Sequence, residues 1–380
     1  MRRAWPGSGP AVVVVVLGAV VVGALIGEFR DLHVYRYAGQ SVLDQWPAYD
    51  SDEPITGYPL TYPPFAALLM VPLALMPGWL AAGLWTGASA GCLAAAIVVV
   101  RSAYGRATPG WLVLVVGAGS LVLEPVWQNL SFGQINLLVM LAVLVDLVRP
   151  ERRWSGLLIG VAAGVKLTPL VFVVLLVLVG HPRAAWRALV TFAATVAVGM
   201  VAFPGASSYW TDRLLEPGRV GPPELAHNQS VSGVLTRLLD TAPDTWLWLV
   251  VAGPLAVLVL LSAAAWWRRG DRVLGACLAA MAMLLASPVS WSHHWVWAVP
   301  VALALWERSR WAATAWAALF VVRPIVWPPW GEDREYGWRW FEHLYGNAYV
   351  IAALLLAGAA TLALVNRRGV WPVSLVERCE

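Results

Sequence analysis

Apolar runs recur along the 380 residues at about 11–27, 66–100, 111–124, 134–148, 156–180, 186–204, 246–267, 273–287, 293–306, 311–327 and 347–366. Most approach the roughly 20 residues that an α-helix needs to cross the hydrocarbon core of a bilayer. In that medium each main-chain polar group has to be satisfied within the protein, which restricts such runs to helices. Hydrophobic residues make up 59% of the chain and charged residues 13%, with a mean hydropathy of +0.67; soluble proteins average about 25% charged. An all-α polytopic membrane protein is expected, a single integral domain over residues 1–380 with no soluble appendage, linker or repeat.

Two runs decide the topology. The stretch 66–100 is too long for one span and is interrupted by Pro72 and Pro77-Gly78, so a short surface helix followed by a true span is expected. The stretch 156–180 reads either as one helix of 25 residues or as two short helices turning at Gly164-Val165-Lys166-Leu167-Thr168-Pro169. With the turn, 17 of the 26 basic residues fall on the cytoplasmic side, Arg2, Arg3, Arg101, Arg149, Arg183, Arg268, Arg308, Arg367 and Arg378 among them. With a single helix the split is 13 against 13, and the positive-inside bias disappears. The hairpin is therefore preferred, giving about twelve crossings with both termini cytoplasmic. Arg2 and Arg3 ahead of the first run resemble a signal peptide, but no small-residue cleavage site precedes Asp31, so the first span is expected to be retained.

The same topology makes 28–65, 205–245 and 328–346 the large extracytoplasmic pieces, and with the shorter outer turns, such as 124–133, that side carries 16 of the 22 acids. The net charge of +4 resides in short arginine clusters between apolar runs, a pattern of cytoplasmic loops rather than of a nucleic-acid surface. Cys92, Cys277 and Cys379 have no metal-ligand spacing, and neither a metal nor a cofactor is implied.

Chemistry-bearing residues gather on the outer side. Asp31 follows the first span within Glu28-Phe29-Arg30-Asp31-Leu32-His33-Val34-Tyr35. A carboxylate facing a partly dry pocket has its pKa raised toward the work of a general base; the alternative is a solvated loop acid. Lys166 is the only lysine, and between two short helical pieces it would sit at depth, where an ionisable group usually meets a cavity or a charged partner such as phosphate. Snorkelling to the surface is the competing reading. His293 and His294 stand at an outer helix boundary; adjacent histidines do not share a helix face, which favours hydrogen bonding to phosphate or sugar over a metal clamp, with structural interface histidines between the flanking tryptophans as the competing reading. His227-Asn228-Gln229 and Gln134 with Asn136 supply the planar amide groups that read sugar hydroxyls, although amides also fill turns and caps.

In their order, Asp31 with Val34-Tyr35, Thr61-Tyr62-Pro63-Pro64-Phe65, Gln128-Asn129 through Gly133-Gln134-Ile135-Asn136, Gly164-Val165-Lys166 with Pro169, Asn228-Gln229-Ser230 and Ser287-Pro288 through His293-His294 resemble glycosyltransferase family 87, within the C-type glycosyltransferase superfamily. The resemblance implies a polyprenol-phosphate-mannose-dependent enzyme of the plasma membrane that transfers mannose, with inversion, to a glycan or glycolipid hydroxyl on the extracytoplasmic face. By position it assigns Asp31 as general base, Lys166 with His293 or His294 to the leaving phosphate, and Tyr62, Gln134, Asn136 and Asn228 to the pocket wall. Leu32 stands where many superfamily members carry a second acid, which weakens any claim for a divalent metal. An anion transporter built around Lys166 is the rival class, but inverted repeats are absent; a lipid-linked glycan polymerase or ligase is set aside only by the resemblance.

The topology predicts that single cysteines at 166 and 227, in a cysteine-free background, react with an impermeant thiol reagent applied from outside, while one replacing Arg183 does not. Outside labelling at 183 would rule the hairpin out.

Overall fold

The computed structural model describes residues 9–26 and 29–366. Arg2, Arg3, Glu28, Arg367, Arg368, Arg378 and Cys379 lie outside them. Among the described residues all regular structure is helical, and extended pairing is confined to two isolated bridges, Asp52 with Pro59 and Asn228 with Trp291.

In chain order the helices are α1 (Gly9–Ile26), α2 (Arg30–Asp44), α3 (Pro64–Ala74), α4 (Gly78–Ala103), α5 (Gly110–Ser120), α6 (Glu124–Phe132), α7 (Asn136–Val148), α8 (Leu157–Val165) and α9 (Leu170–Leu178). They continue as α10 (Pro182–Ala202), α11 (Ala206–Thr211), α12 (Val231–Leu239), α13 (Thr245–Arg268) and α14 (Arg272–Ala286). A 3-10 turn (Ser292–Trp297) then leads to α15 (Ala298–Trp306), α16 (Arg310–Val322), α17 (Glu342–Gly346) and α18 (Ala348–Val365).

Four of these, α4, α10, α13 and α18, are long and apolar enough to cross a membrane, and six spans result if α1 with α2 and α5 with α6 are each counted as one bent span. Several apolar runs are realised as shorter helices instead: α3, α7 and α14 have 11, 13 and 15 residues. Apolar side chains point outward from the longest ones, Val201 of α10 being 91% and Trp246 of α13 79% exposed, as expected where the neighbour is lipid. The proline-broken stretch 66–100 resolves into α3 and α4, and 156–180 resolves into two nine-residue helices rather than one long one.

Close packing positions the break at Lys166. Asp146 of α7 caps the start of α8 by accepting from the main-chain N–H groups of Gly156 and Ile159, both at 2.9 Å. Gly156, Gly160 and Gly164 then form a stripe of small residues along one side of this segment, and α10 presses against it so tightly that a Cβ on Gly160 would lie 2.5 Å from the Ala188 carbonyl oxygen. Gly83 and Gly87 serve α4 in the same way against α1. At the other end of the site, α2 turns 85° from α1, and Gly39 lets it approach α3 so closely that a Cβ would lie 2.6 Å from the Met70 carbonyl oxygen.

Gly160→Ala is therefore expected to destabilise the protein by about 1–3 kcal/mol, the usual range for overpacking. Gly253→Ala on α13, which meets open space, should be neutral. Thermal unfolding in detergent tests this; equal melting temperatures for the two variants would show that the α8–α10 contact yields freely.

Candidate active site

Four segments meet around one polar cluster: the first turn of α2, the α6–α7 junction, the break between α8 and α9, and the 3-10 turn after α14. The α6 helix ends at Gly133, whose φ of 71° is easily adopted only without a side chain, and a Cβ there would also strike Phe29 at 2.8 Å. Trp85 Nε1 donates to the Gly133 carbonyl at 2.7 Å, and Gln134 N donates to the Asn129 carbonyl at 2.8 Å. This tight turn brings the Gln134 side chain to α2.

Gln134 Oε1 accepts from the hydroxyls of Tyr62 at 3.0 Å and Tyr35 at 3.3 Å, which themselves lie 2.8 Å apart. The same side chain hydrogen-bonds Asp31, and a carboxylate needs the amide N–H there as donor. Asn136, the first residue of α7, donates from Nδ2 to Asn129 Oδ1 and to the His293 carbonyl, each at 3.2 Å. Its Oδ1 accepts from Lys166 Nζ at 2.9 Å. Lys166 Nζ also lies 2.9 Å from His294 Nε2; with three N–H donors and no acceptor on an ammonium, Nε2 is the acceptor, which places the imidazole proton on Nδ1.

His293 is buried, its ring edge-on to Phe132 at 5.7 Å and to His294 at 4.7 Å, and its Nε2 has no hydrogen-bond partner. A buried nitrogen of this kind is costly unless a ligand completes it. Beside Lys166 and His294 opens a cleft lined also by Asn136, Thr168, Ser290 and Trp297.

Asp31 is half-buried on α2, a helix that carries Arg30, His33, Arg36 and Asp44 and is not by itself among those long and apolar enough to cross a membrane. Desolvation pushes its carboxyl up to about 6, against the opposing pull of the Gln134 hydrogen bond and the positive charges of Arg30 and Lys166. Such a group is ionised near neutral pH and still basic enough to accept a proton.

The structure thus brings Asp31, Tyr62, Gln134, Asn136, Lys166, His293 and His294 together from five places in the sequence. Asn228 and Gln229 lie behind that lining, Asn228 accepting from the main-chain N–H of Ser290, a residue of the cleft. Both are fully buried, and the main chain takes up their amides: Asn228 bonds Ser290 N and the Pro223 carbonyl, while Gln229 bonds the carbonyls of Ala226 and Gly346 and the N–H of Tyr349. In the structure these two amides act as stitches between loops. His227 lies edge-on to Trp330 at 5.0 Å, within reach of the charges of Arg30 and Glu335. Sequence reasoning did not single out Phe132 or Arg30 as site residues. The signal available for Arg30 was its place directly before Asp31.

The model of glycosyltransferase family 87 matches residues 60–288, more than half of the chain. The chain belongs to that family. The matched segment includes Tyr62, Gln134, Asn136 and Lys166 and leaves Asp31 and the histidine pair on either side. A Mycobacterium tuberculosis protein described as a polyprenol-phosphate-mannose-dependent alpha-(1-2)-phosphatidylinositol pentamannoside mannosyltransferase is 36% identical over 87% of this chain and 80% of its own length. A second M. tuberculosis protein, described as the corresponding phosphatidylinositol mannoside mannosyltransferase, is 34% identical over 89% of this chain and 85% of its own length. The pentamannoside enzyme of Mycolicibacterium smegmatis is 33% identical over 87% of this chain and 84% of its own. No solved structure matches the chain. This glycosyltransferase family 87 member is a membrane protein.

If Asp31 acts as base, only its ionised form is active, so kcat/KM should fall as pH drops through about 6. Gln134→Leu removes the hydrogen bond that favours the carboxylate and should move this acid limb upward. An acid limb near 4 in the wild type, or one unmoved in the variant, would contradict this placement of Asp31.

Proposed function

We propose that this protein transfers mannose from polyprenyl-phosphate-mannose, with inversion, to a hydroxyl of a glycan or glycolipid on the extracytoplasmic face of the plasma membrane. The supporting observation is the joining of Asp31 to Lys166 and His294 through Gln134 and Asn136, in a chain similar to enzymes named for that donor. Phosphatidylinositol mannosides are the acceptors in those relatives' names, and a glycolipid of that type is the acceptor proposed here. About twelve crossings, with the arginine clusters facing the cytoplasm, belong to the same reading.

The proposed chemistry separates two tasks. As the acceptor oxygen bonds to the anomeric carbon of mannose, Asp31 takes the hydroxyl proton. The bond from that carbon to the phosphate oxygen breaks, its electron pair leaves with the polyprenyl phosphate, and Lys166 with His293 or His294 holds the resulting charge. One carboxylate suffices because the phosphate leaves without protonation. The carrier's lipid tail requires a cleft that opens toward the bilayer, while the acceptor sugar reaches the same carbon from the water side.

Asp31→Asn keeps the shape of the side chain and removes its capacity to accept a proton. Transfer of labelled mannose from polyprenyl-phosphate-mannose to phosphatidylinositol mannoside should fall by about 10² to 10⁴, with normal insertion and Glu28→Gln remaining active. Wild-type transfer by Asp31→Asn, or an equal loss in Glu28→Gln, would show that the base is elsewhere.

A further inference from the structure

Lys166 is not the only cation at this site. Arg30 lies beside Asp31 in the chain, and its exposed side chain is fixed at two points. Nη1 donates to the Tyr58 hydroxyl at 3.0 Å, and the guanidinium carbon sits 4.0 Å from the centre of the Phe132 ring. Phe132 in turn meets His293, the histidine with the buried, partnerless Nε2. The charge of Arg30 bears on Asp31, His227 and His293, whereas that of Lys166 bears on Asp31, His293 and His294. Two cations from distant parts of the sequence therefore flank the same carboxylate and the same imidazole.

Holding an arginine there is unfavourable for the base alone, because a nearby positive charge weakens the proton affinity of Asp31. A guanidinium carries five N–H donors in a planar fork, and only one of them is used by Tyr58. Stacking on Phe132 fixes the plane of that fork while leaving its edge free. Arginine held in this way is suited to the paired oxygens of a phosphate ester, which it binds with two parallel charge-assisted hydrogen bonds.

We propose that Arg30 is a second phosphate-binding residue of this site, its guanidinium seated on Phe132 and held by Tyr58 so that it grips a phosphate-ester oxyanion independently of Lys166. The inference rests on the transfer reading above. Two substrates carry that chemistry, the polyprenyl phosphate of the donor and the phosphodiester of a phosphatidylinositol-type acceptor.

The test uses the full-length protein in detergent, with polyprenyl-phosphate-mannose as donor and either phosphatidylinositol mannoside or phosphate-free octyl mannoside as acceptor. Arg30→Gln is expected to raise a KM about tenfold or more, as loss of a charge-assisted hydrogen bond does, with a smaller effect on kcat. Arg30→Lys should recover only part, since it restores the charge without the fork. A higher donor KM with both acceptors assigns Arg30 to the carrier phosphate. A higher KM for phosphatidylinositol mannoside but not for octyl mannoside assigns it to the acceptor phosphodiester. Unchanged KM values, or a fall in kcat accompanied only by a shift of the acid limb, would overturn the proposal and leave Arg30 as a modulator of Asp31. Should Arg30→Gln fail to fold, Phe132→Leu removes the seat without altering charge and carries the same KM comparison. A wild-type protein that transfers no mannose would instead strike the functional reading itself.

Discussion

Between two nine-residue helices, Lys166 brings a positive charge to a position where few side chains can answer it. Its hydrogen bonds to Asn136 and His294 are the condition under which the neighbouring segments can be arranged as they are. Asn136 has to begin α7 at that point, the turn after α14 has to present His294 there, and α8 has to end there. The carboxylate of Asp146 fixes where α8 begins, and its small residues fix how closely it lies to α10. An unsatisfied ammonium in such surroundings would cost several kcal/mol, more than most single contacts supply.

The chemistry is distributed with the same economy. Gln134 touches Asp31 at one end of its amide and two tyrosines at the other, so the orientation of the proposed base depends on phenols from α2 and from the segment leading into α3. Tyr62 is itself held, since Tyr49 donates to its carbonyl at 2.7 Å. Asp31 thereby escapes the fate of an ordinary loop acid: it is partly stripped of water, yet it retains enough stabilisation to ionise at neutral pH.

Much of this was legible in the sequence, for identifiable reasons. A lone lysine between short apolar pieces is costly enough to be conspicuous, and a carboxylate directly after a span is equally so. The break at Lys166-Leu167-Thr168-Pro169 was signalled by the length of the run and by the arginine distribution. Amides carry no such mark. Asn136 and Asn228 look alike in a sequence, but one meets an ammonium while the other bonds the main chain of Ser290 and Pro223, and only tertiary context separates them. Phe132 was hidden for a related reason, because one aromatic residue in an apolar protein says nothing about a cation above it. Run length also overstated helix length, since turns and 3-10 segments absorb part of several runs, as in 293–306, where Ser292–Trp297 precedes α15.

The loop stitches have a mechanical corollary. Gln229 donates its N–H to the Ser290 carbonyl, Ser230 donates its hydroxyl to the Pro288 carbonyl, and Asn228 pairs with Trp291. The long loop carrying His227 is thus laced to the segment that carries His293 and His294. Lifting the loop would draw His294 away from Lys166, so a gaping site would be an electrostatically incomplete one. In the reading proposed above, a sugar donor meeting the protein in that posture would find water around it but no assembled cradle for its departing phosphate, and the hydrogen bonds that tie these loops together would disfavour its hydrolysis.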